Sequence, residues 1–474
     1  MKAPLLAVSF AALAVAAPTF NQDIAPILYE NCATCHRPGE VAPFSLLTYQ
    51  DAAKRASLIA TVTKKRYMPP WKPEPGYGNF DHTRRLTDEQ IAQINEWAAT
   101  GAQEGDAADK PAVPAFPTGW QAGEPDQVLK MSASYAVTAD GPDQFRCFVL
   151  PMNLTKESYV SGAEFRAGNP RVVHHALVFL DSTGTARRLA GTSGGYPCFG
   201  GPGFSGAGLV MGWAPGYTPL PAEPALSQPV RPGTDVVIQI HYHPSGKAEQ
   251  DQSSIGLKFS GPPTKGRALL LVMNRYLDIP AGESHYVVKA SVTVPQDSEL
   301  WGITPHAHYL ATDMKVNARL PDGSVIPLIW IKDWDFNWQG QYRYQKPIHL
   351  PKGTKVELEF TYDNSAGNPH NPSRPPVRVR FGEQTKDEMA LAFLGLVLPS
   401  PDDVQPFQRA VVLQYVEDFV RLTDDLNNLP EEIPPAMATR LRLALALFDR
   451  DRDGKLNAEE RATLLTFIQT MMPQ

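Results

Sequence analysis

The chain has 474 residues, a formal net charge of −6, 43% hydrophobic residues, 20% charged residues and 45 prolines. This length predicts about three domains, and the composition is consistent with an exported, folded, soluble protein. The modest negative charge argues against a basic surface that binds nucleic acid. After the N-terminus no apolar run is as long as a membrane span, so we predict no transmembrane anchor.

The N-terminus has the pattern of a cleaved export signal. Met1 and Lys2 precede an apolar run that extends to Ala17, with small residues at Ala14 and Ala16. One positive charge, a short apolar run and small residues near its end are typical of signal peptides. We therefore predict a signal peptide over residues 1–17 and a periplasmic or secreted mature protein.

The motif Cys32-Ala33-Thr34-Cys35-His36 follows soon after the predicted signal peptide. Two cysteines separated by two residues and followed by histidine are typical of covalent attachment of haem c. The thiols of Cys32 and Cys35 would add to the porphyrin vinyl groups, and His36 is the predicted proximal iron ligand. The alternatives are a redox dithiol, which does not need the histidine, and half of a zinc site, which needs a second ligand pair nearby that the following residues lack.

The flanking sequence resembles that of small cytochromes c. We predict a leading helix over residues 20–29 and a closing helix over residues 86–101. The closing helix has an N-cap signal at Thr87 and ends at a glycine, Gly101. The resemblance implies a small α-helical cytochrome c domain over residues 18–105.

The predicted distal haem ligand is Met68, in the sequence Tyr67-Met68-Pro69-Pro70-Trp71. Ligation by methionine and histidine raises the haem potential, which suits an electron carrier. His82 is the reserve candidate for this position. An ordinary core position for Met68 is the alternative.

The composition changes after the predicted cytochrome domain. Residues 102–126 lose apolar periodicity and are rich in alanine, proline, glycine and aspartate. Such a composition is typical of a semi-rigid linker, which we place at residues 106–124.

Beyond the linker the pattern indicates antiparallel β-strands. Short alternating runs occur between glycine and proline residues, for example over residues 234–243, 284–294 and 355–362. The region is long enough for two antiparallel β-sandwich domains, predicted at residues 125–265 and 266–400. Cys147 and Cys198 lie in the first of them, and in an oxidising compartment such a pair tends to form a disulfide. Two free buried thiols are the alternative.

Six of the 11 histidines fall in three short groups, His174-His175, His241-Tyr242-His243 and His306-Ala307-His308. Strand geometry places both histidines of the second group on one face, and likewise those of the third, so each pair can converge on a metal. Adjacent His174 and His175 can share a metal only if their strand is bulged or twisted. Imidazole-rich sets without thiolates suit copper or zinc. Separate polar or core histidines are the alternative.

These residues resemble those of the type 2 copper, ascorbate-dependent monooxygenases, which include the peptidylglycine α-hydroxylating and dopamine β-hydroxylating enzymes. The resemblance covers about residues 125–400. Residues 173–176 and 239–242 are similar to the segments that carry the three histidine ligands of the family's first copper. Residues 304–308 and 382–389 are similar to the segments that carry the His-x-His pair and the methionine of its second copper. The implied ligand sets are His174, His175 and His241 for one copper, and His306, His308 and Met389 for the other.

The resemblance also implies how the two coppers divide the reaction. The first stores and passes an electron across a solvent-filled cleft between the sandwiches. At the second, where a methionine thioether favours Cu(I), dioxygen reacts and an activated C–H bond is hydroxylated. Met314, close to the His-x-His pair in the sequence, is the rival to Met389. Cys147 and Cys198 resemble a disulfide pair of the family.

The haem motif changes the expected source of electrons. The family usually takes electrons from ascorbate, whereas the fused haem here suggests a route from an external donor through the haem to the first copper. The metals carry the redox chemistry, and the protein orients the substrate.

Two departures from the family bear on the substrate. Peptide-amidating members have an arginine two residues before the His-x-His pair and a tyrosine four residues after the methionine, where this chain has Thr304 and Phe393. Losing the charge-assisted contact to a peptide carboxylate costs about 1.5–3 kcal/mol, which argues against amidation. We therefore expect a small or medium organic substrate.

His243 has no place in the family's ligand set, and we expect a surface residue there, with a contact to a ligand or to substrate as alternatives.

The C-terminal stretch 449–460 matches the calcium loop of an EF-hand at each side-chain position. The predicted ligands are Asp449, Asp451, Asp453, Lys455 through its carbonyl, Asn457 and Glu460. Gly454 makes the sharp turn, and residues 438–448 and 458–471 are predicted to form the flanking helices. We predict structural calcium in a helical segment over residues 401–474, with a loop that never binds calcium as the alternative.

These predictions describe an exported oxidoreductase with haem c, two copper ions and calcium, most simply a copper-dependent monooxygenase. Its partners would be dioxygen, an organic substrate and an external electron donor. Two alternatives keep the same motifs. An electron-transfer or copper-handling protein would hydroxylate no substrate, and an oxidase would reduce dioxygen without inserting it.

Overall fold

A computed structural model of the protein describes residues 17–40, 42–116, 119–198, 201–204, 208–217, 219–382, 384–422 and 446–471. The chain forms two compact units. The smaller comprises Met1–Trp71 and Thr83–Thr118, and the larger comprises Lys72–His82 and Gly119–Gln474. Residues 1–16 of the predicted signal peptide lie outside the described residues.

The smaller unit is helical. Its helices are α1 (Ala25–Asn31), α2 (Tyr49–Ala53), α3 (Ala56–Lys64) and α4 (Asp88–Ala99), and a π-helical turn over Phe20–Ile24 leads into α1. Helix α4 begins as predicted, because Thr87 and Gln90 form a reciprocal capping box. Phe20 and Trp97 are fully buried in the common core, with ring centroids 6.3 Å apart. The two predicted helices are therefore present, and the assignment of this unit to the cytochromes c stays a prediction.

The larger unit begins with a set of antiparallel strands. These strands are β1 (Gln127–Lys130), β2 (Tyr135–Val137), β3 (Gln144–Pro151), β4 (Ser158–Arg166), β5 (Val173–Asp181), β6 (Gly195–Pro197), β7 (Gly208–Trp213), β8 (Gln228–Val230), β9 (Asp235–Tyr242), β10 (Glu249–Asp251) and β11 (Ser254–Ser260), with helix α5 (Thr185–Ala190) after β5. One sheet has the order β1-β11-β4-β8 and another the order β6-β3-β9-β5-β7. Leu257 of the first sheet and Ile238 of the second share one apolar core. The two sheets therefore form a sandwich.

A second set of strands follows. These strands are β12 (Gly266–Met273), β13 (Asp278–Ile279), β14 (Tyr286–Thr293), β15 (Ser298–His306), β16 (Ala311–Arg319), β17 (Val325–Ile331), β18 (Tyr342–Leu350), β19 (Lys355–Tyr362), β20 (Val379–Arg380) and β21 (Leu391–Leu398). The sheets are ordered β12-β21-β15-β18 and β14-β19-β16-β17, and their strands pair antiparallel. The predicted strands over 234–243, 284–294 and 355–362 correspond to β9, β14 and β19. The prediction of an antiparallel β-rich region is confirmed.

A short segment ahead of the sandwiches also belongs to the larger unit. Lys72–His82 lies within the region predicted as cytochrome c, yet it packs on the second set of strands. Pro73 forms an isolated bridge with Ile331, and Phe80 forms one with Tyr344. The Phe80 and Tyr344 rings are also in contact, with centroids 5.0 Å apart.

The C-terminal region is helical where it is described, with α6 (Val404–Leu422) and α7 (Ala458–Met471). Most of the predicted helix over residues 438–448 lies outside the described residues. Across the described part of the chain, each helix is too short or too polar to cross a membrane.

The predicted disulfide between Cys147 and Cys198 is present. It joins β3 to the segment after β6, and both residues are buried. The Cys198 amide donates a hydrogen bond to the Phe145 carbonyl, and its carbonyl accepts one from Gln239 Nε2 at 2.7 Å. The cross-link therefore fastens β3 to its neighbours close to the strand that carries His241.

Replacing both cysteines with alanine should lower the free energy of unfolding of the first sandwich by about 2–4 kcal/mol, because the disulfide restricts the unfolded chain. Differential scanning calorimetry of the full chain measures the effect. The single variants Cys147→Ala and Cys198→Ala should lose nearly as much, since either breaks the same bond. An unchanged melting temperature in the double variant would contradict this expectation.

Candidate metal centres

The first histidine set depends on an irregularity in the pairing of β5 with β9. Val173 lies opposite Tyr242, but His175 lies opposite His241, so β5 has one residue more than β9 over this step. That extra residue is His174, and the irregularity is a β-bulge. A regular strand would send adjacent side chains to opposite faces. The predicted condition for His174 and His175 to share a metal, a bulged or twisted strand, is therefore met.

The three histidines converge through the same ring nitrogen. His175 Nδ1 lies 3.3 Å from His174 Nδ1 and 3.3 Å from His241 Nδ1. Metal–imidazole bonds of about 2.0–2.1 Å at tetrahedral angles place neighbouring nitrogens about 3.3–3.4 Å apart. Phe145 stacks on His241 at a centroid distance of 4.3 Å and an angle of 11°. The two Nδ1 separations therefore match the spacing of neighbouring ligands in a tri-histidine metal centre.

Burial favours the neutral form of two of these histidines. It lowers the pKa of His174 to about 4, and it lowers the pKa of His175 well below the ordinary value. Neutral imidazoles offer a lone pair to a metal, whereas protonated ones do not. The lone pairs of His174 and His175 are therefore available at neutral pH.

One carboxylate that sequence reasoning missed lies beside this set. Asp143 precedes β3, and its two oxygens contact His241 Nε2 at 2.6 Å and His243 Nδ1 at 2.8 Å. His243 itself is exposed, as expected, with 66% of its side chain accessible. An aspartate in a loop has no periodic pattern, and its proximity becomes evident only once β3 is paired with β9.

The second histidine pair lies at the end of β15 and presents a different nitrogen. His306 Nδ1 contacts Gln339 Oε1 at 2.7 Å, and His308 Nδ1 contacts the Asp387 carbonyl at 3.0 Å. These contacts leave both Nε2 atoms for a metal, on rings whose centroids are 5.3 Å apart. Burial lowers the pKa of His306 to about 3 and also lowers the pKa of His308.

Glu388 links this pair to the candidate methionine. Its fully buried carboxyl group accepts hydrogen bonds from the amides of His308, Leu310 and Met389. Burial raises the pKa of Glu388 to about 8. The Met389 carbonyl accepts a further hydrogen bond from the Tyr362 hydroxyl at 2.7 Å. Hydrogen bonds to Glu388 thus hold the backbone of Met389 beside that of His308. Met314, the other candidate for the methionine ligand, lies on β16 and is fully buried in the core.

A single aromatic ring contacts one ligand from each set. The buried Phe336 ring stacks against His174 with centroids 6.0 Å apart, and its centroid lies 5.7 Å from that of His308. The resemblance implied a solvent-filled cleft between the two sets. Here the apolar Phe336 side chain contacts a histidine of each set.

The haem motif follows directly from helix α1. Cys32 caps the helix, and its carbonyl accepts hydrogen bonds from the amides of Cys35 and His36. His36 Nδ1 contacts the Phe44 carbonyl at 3.1 Å, so the free nitrogen is Nε2. Burial raises the pKa of Cys32 to about 12 and also raises that of Cys35. This arrangement suits a haem attached at both cysteines with His36 Nε2 on the iron.

The two candidates for the distal ligand differ in setting. Met68 follows α3 in the smaller unit and is half-buried. His82 belongs to the larger unit, and 73% of its side chain is exposed.

The acidic loop after residue 448 brings three of the predicted calcium ligands together. Carboxylate oxygens of Asp449, Asp451 and Asp453 lie within 4.8 Å of one another. Gly454 adopts a left-handed φ of +83°, which glycine tolerates without a Cβ clash. The remaining predicted ligands are Lys455, Asn457 and Glu460, of which the Asn457 side chain caps α7 by accepting from two helix amides.

Comparison with models of known protein families finds no match, and comparison with curated proteins finds none either. Among solved structures the chain is similar to PNGF-II at 10% identity, covering 57% of this chain and 64% of that one, with a TM-score of 0.24. It is similar to the VP2 subviral particle of infectious bursal disease virus at 10% identity, with coverages of 63% and 76% and a TM-score of 0.18. The chain thus spans less than two thirds of PNGF-II, and at such TM-scores neither likeness carries an argument.

Glu388→Gln should destabilise the second sandwich by about 1–3 kcal/mol, because the new amide group cannot accept all the backbone N–H bonds and leaves a buried donor unpaired. Thermal unfolding of the metal-free protein measures the loss. Glu299→Gln is the matched control, because Glu299 pairs with His349 at 2.9 Å on the exposed side of β15. Equal stability of the two variants would contradict the role given to Glu388.

Proposed function

We propose that the protein is an exported haem c and dicopper monooxygenase that hydroxylates a C–H bond of a small or medium organic substrate with dioxygen. The observation that carries the proposal is the bulged strand, which places the Nδ1 atoms of His174 and His241 each 3.3 Å from that of His175. Such a thiolate-free nitrogen set suits copper or zinc, and the sequence resemblance favours copper.

The first set would hold the copper that relays electrons. His174, His175 and His241 are held on two hydrogen-bonded strands, which fixes the positions of the three imidazoles. A prepositioned set limits the rearrangement between oxidation states, which favours rapid electron transfer over substrate chemistry.

The second set would hold the copper at which dioxygen and substrate meet. The residues proposed to hold it are His306, His308 and Met389. When bound, copper would supply one-electron redox chemistry and dioxygen activation. The protein would position these ligands. Gln339 and the Asp387 carbonyl orient the two imidazoles, and Glu388 holds the backbone amides of His308 and Met389. One oxygen atom would enter the product as hydroxyl and the other would leave as water, consuming two electrons and two protons.

The residues that replace the family's carboxylate clamp support a substrate other than a peptide terminus. Thr304 and Phe393 are direct cross-strand partners in β15 and β21. Neutral side chains therefore fill both neighbouring positions where amidating relatives have a cation and a phenol. An apolar or neutral polar substrate suits such a surface better than a carboxylate.

Electrons would enter through haem c on Cys32, Cys35 and His36, with Met68 as the distal ligand. The His36 Nδ1 contact to a carbonyl supports Nε2 as the iron ligand. Haem would supply one-electron transfer from an external donor.

The acidic loop supports bound calcium with a structural role, and calcium would order the loop by binding only its folded form. The Cys147–Cys198 disulfide supports a periplasmic or secreted location.

The loaded protein should contain two copper ions of unequal character. Met389→Ile should leave the first copper intact and abolish product formation, because only the second set loses a ligand. Copper analysis with electron paramagnetic resonance measures the first point, and mass spectrometry of product formed under ¹⁸O₂ measures the second. Uptake of zinc in place of copper would contradict the proposal, and oxygen consumption without labelled product would indicate an oxidase.

Cys35→Ser should abolish stable haem attachment, whereas Met68→Ala should retain the haem and lower its potential, since the axial sulfur raises it. Absorption spectroscopy and a redox titration of the full chain measure both effects. His82→Ala is the control and should change neither. If Met68→Ala preserved both spectrum and potential, Met68 would not be the distal ligand.

A further inference from the structure

The contact between Asp143 and His241 bears on which nitrogen of His241 faces the first site. Asp143 Oδ2 lies 2.6 Å from His241 Nε2, while His241 Nδ1 lies 3.3 Å from His175 Nδ1. His241 is buried, with 2% of its surface accessible. An ionised carboxylate only accepts hydrogen bonds, so the shared proton belongs to His241 Nε2. A neutral imidazole protonated at Nε2 has its lone pair on Nδ1, which faces the other two histidines.

The second oxygen of Asp143 is also occupied. His243 Nδ1 lies 2.8 Å from Asp143 Oδ1. One donor on β9, His241, and one just after it, His243, therefore hold the carboxylate plane in a fixed orientation. This arrangement explains the position of His243, which follows the strand pattern of a ligand pair but lies outside the ligand set.

We infer that Asp143 is a positioning residue for the first metal site, which selects the tautomer of His241 that binds metal through Nδ1, and that His243 steadies Asp143. The inference rests on the proposed copper site. Carboxylates that accept from a ligating histidine fix its ring and raise its basicity, and their loss typically weakens metal binding about 10–100-fold.

The first experiment measures copper. Asp143→Asn keeps the shape of the side chain, but the new amide group can donate a hydrogen bond, whereas a carboxylate only accepts. Titration of the full chain with copper against a competing chelator should show first-site affinity about 10–100-fold weaker, with the second site unchanged. The copper hyperfine splitting of the first site should also change. Asp143→Glu, which retains a carboxylate, should recover part of the affinity.

Two controls separate positioning from a general change in stability. His243→Gln should weaken first-site binding by about fivefold or less, because an exposed pair contributes little. Glu299→Gln removes an exposed carboxylate–histidine contact, with His349 in the second set of strands, and should leave copper binding unchanged. Thermal unfolding of each metal-free variant checks that the fold is intact.

The second experiment needs no metal. In metal-free protein labelled with ¹⁵N-histidine, the His241 signal, assigned by its loss in His241→Gln, should report a proton on Nε2, and Asp143→Asn should reduce that population. A proton on Nδ1 in the unaltered protein, or equal copper affinity of Asp143→Asn and the unaltered chain, would overturn the inference. If the unaltered protein binds no copper yet shows the Nε2 proton, the proposed function fails while the tautomer selection by Asp143 stands.

Discussion

The extra residue in β5 is the constraint on which the first site depends. Strand side chains alternate between faces, so two adjacent histidines on a regular strand cannot bind one metal together. Pairing Val173 with Tyr242 and His175 with His241 leaves His174 as the additional residue and turns it toward its neighbour. The Nδ1 separations of 3.3 Å follow from this backbone irregularity. Bulges are frequent next to functional sites because they redirect a side chain without ending the strand.

Hydrogen bonds then decide which imidazole nitrogen faces each site. In the first set Asp143 occupies Nε2 of His241 and leaves Nδ1. In the second set Gln339 and the Asp387 carbonyl occupy the Nδ1 atoms and leave Nε2. The first set thus directs Nδ1 of His241 at its site, whereas the second set directs Nε2 of His306 and His308 at its site. Phe336 contacts a histidine of each set, so any rearrangement of that ring would affect both.

The sequence carried those features that depend on local pattern. Alternation predicted β9, β14 and β19, and the cysteine count and compartment predicted the Cys147–Cys198 disulfide. The histidine groups were visible because their members are adjacent or one residue apart. The condition on His174 and His175 could be stated in advance, but the bulge itself depends on the register with β9, which lies far along the chain.

The features that could not be predicted from the sequence depend on contacts between residues far apart in the chain. Asp143 and Glu388 are single carboxylates without a repeating pattern, and each acquires its partners only through strand pairing or burial. Lys72–His82 was predicted as part of the cytochrome region, since nothing in its composition indicates that it packs on β17 and β18.

Anomalous diffraction at the copper edge from crystals of the copper-loaded protein tests the central claim most directly. The account predicts one peak about 2.0–2.1 Å from Nδ1 of His174, His175 and His241, and a second peak at Nε2 of His306 and His308. A single peak, a peak at Nε2 of His241, or no copper at either histidine set would contradict it.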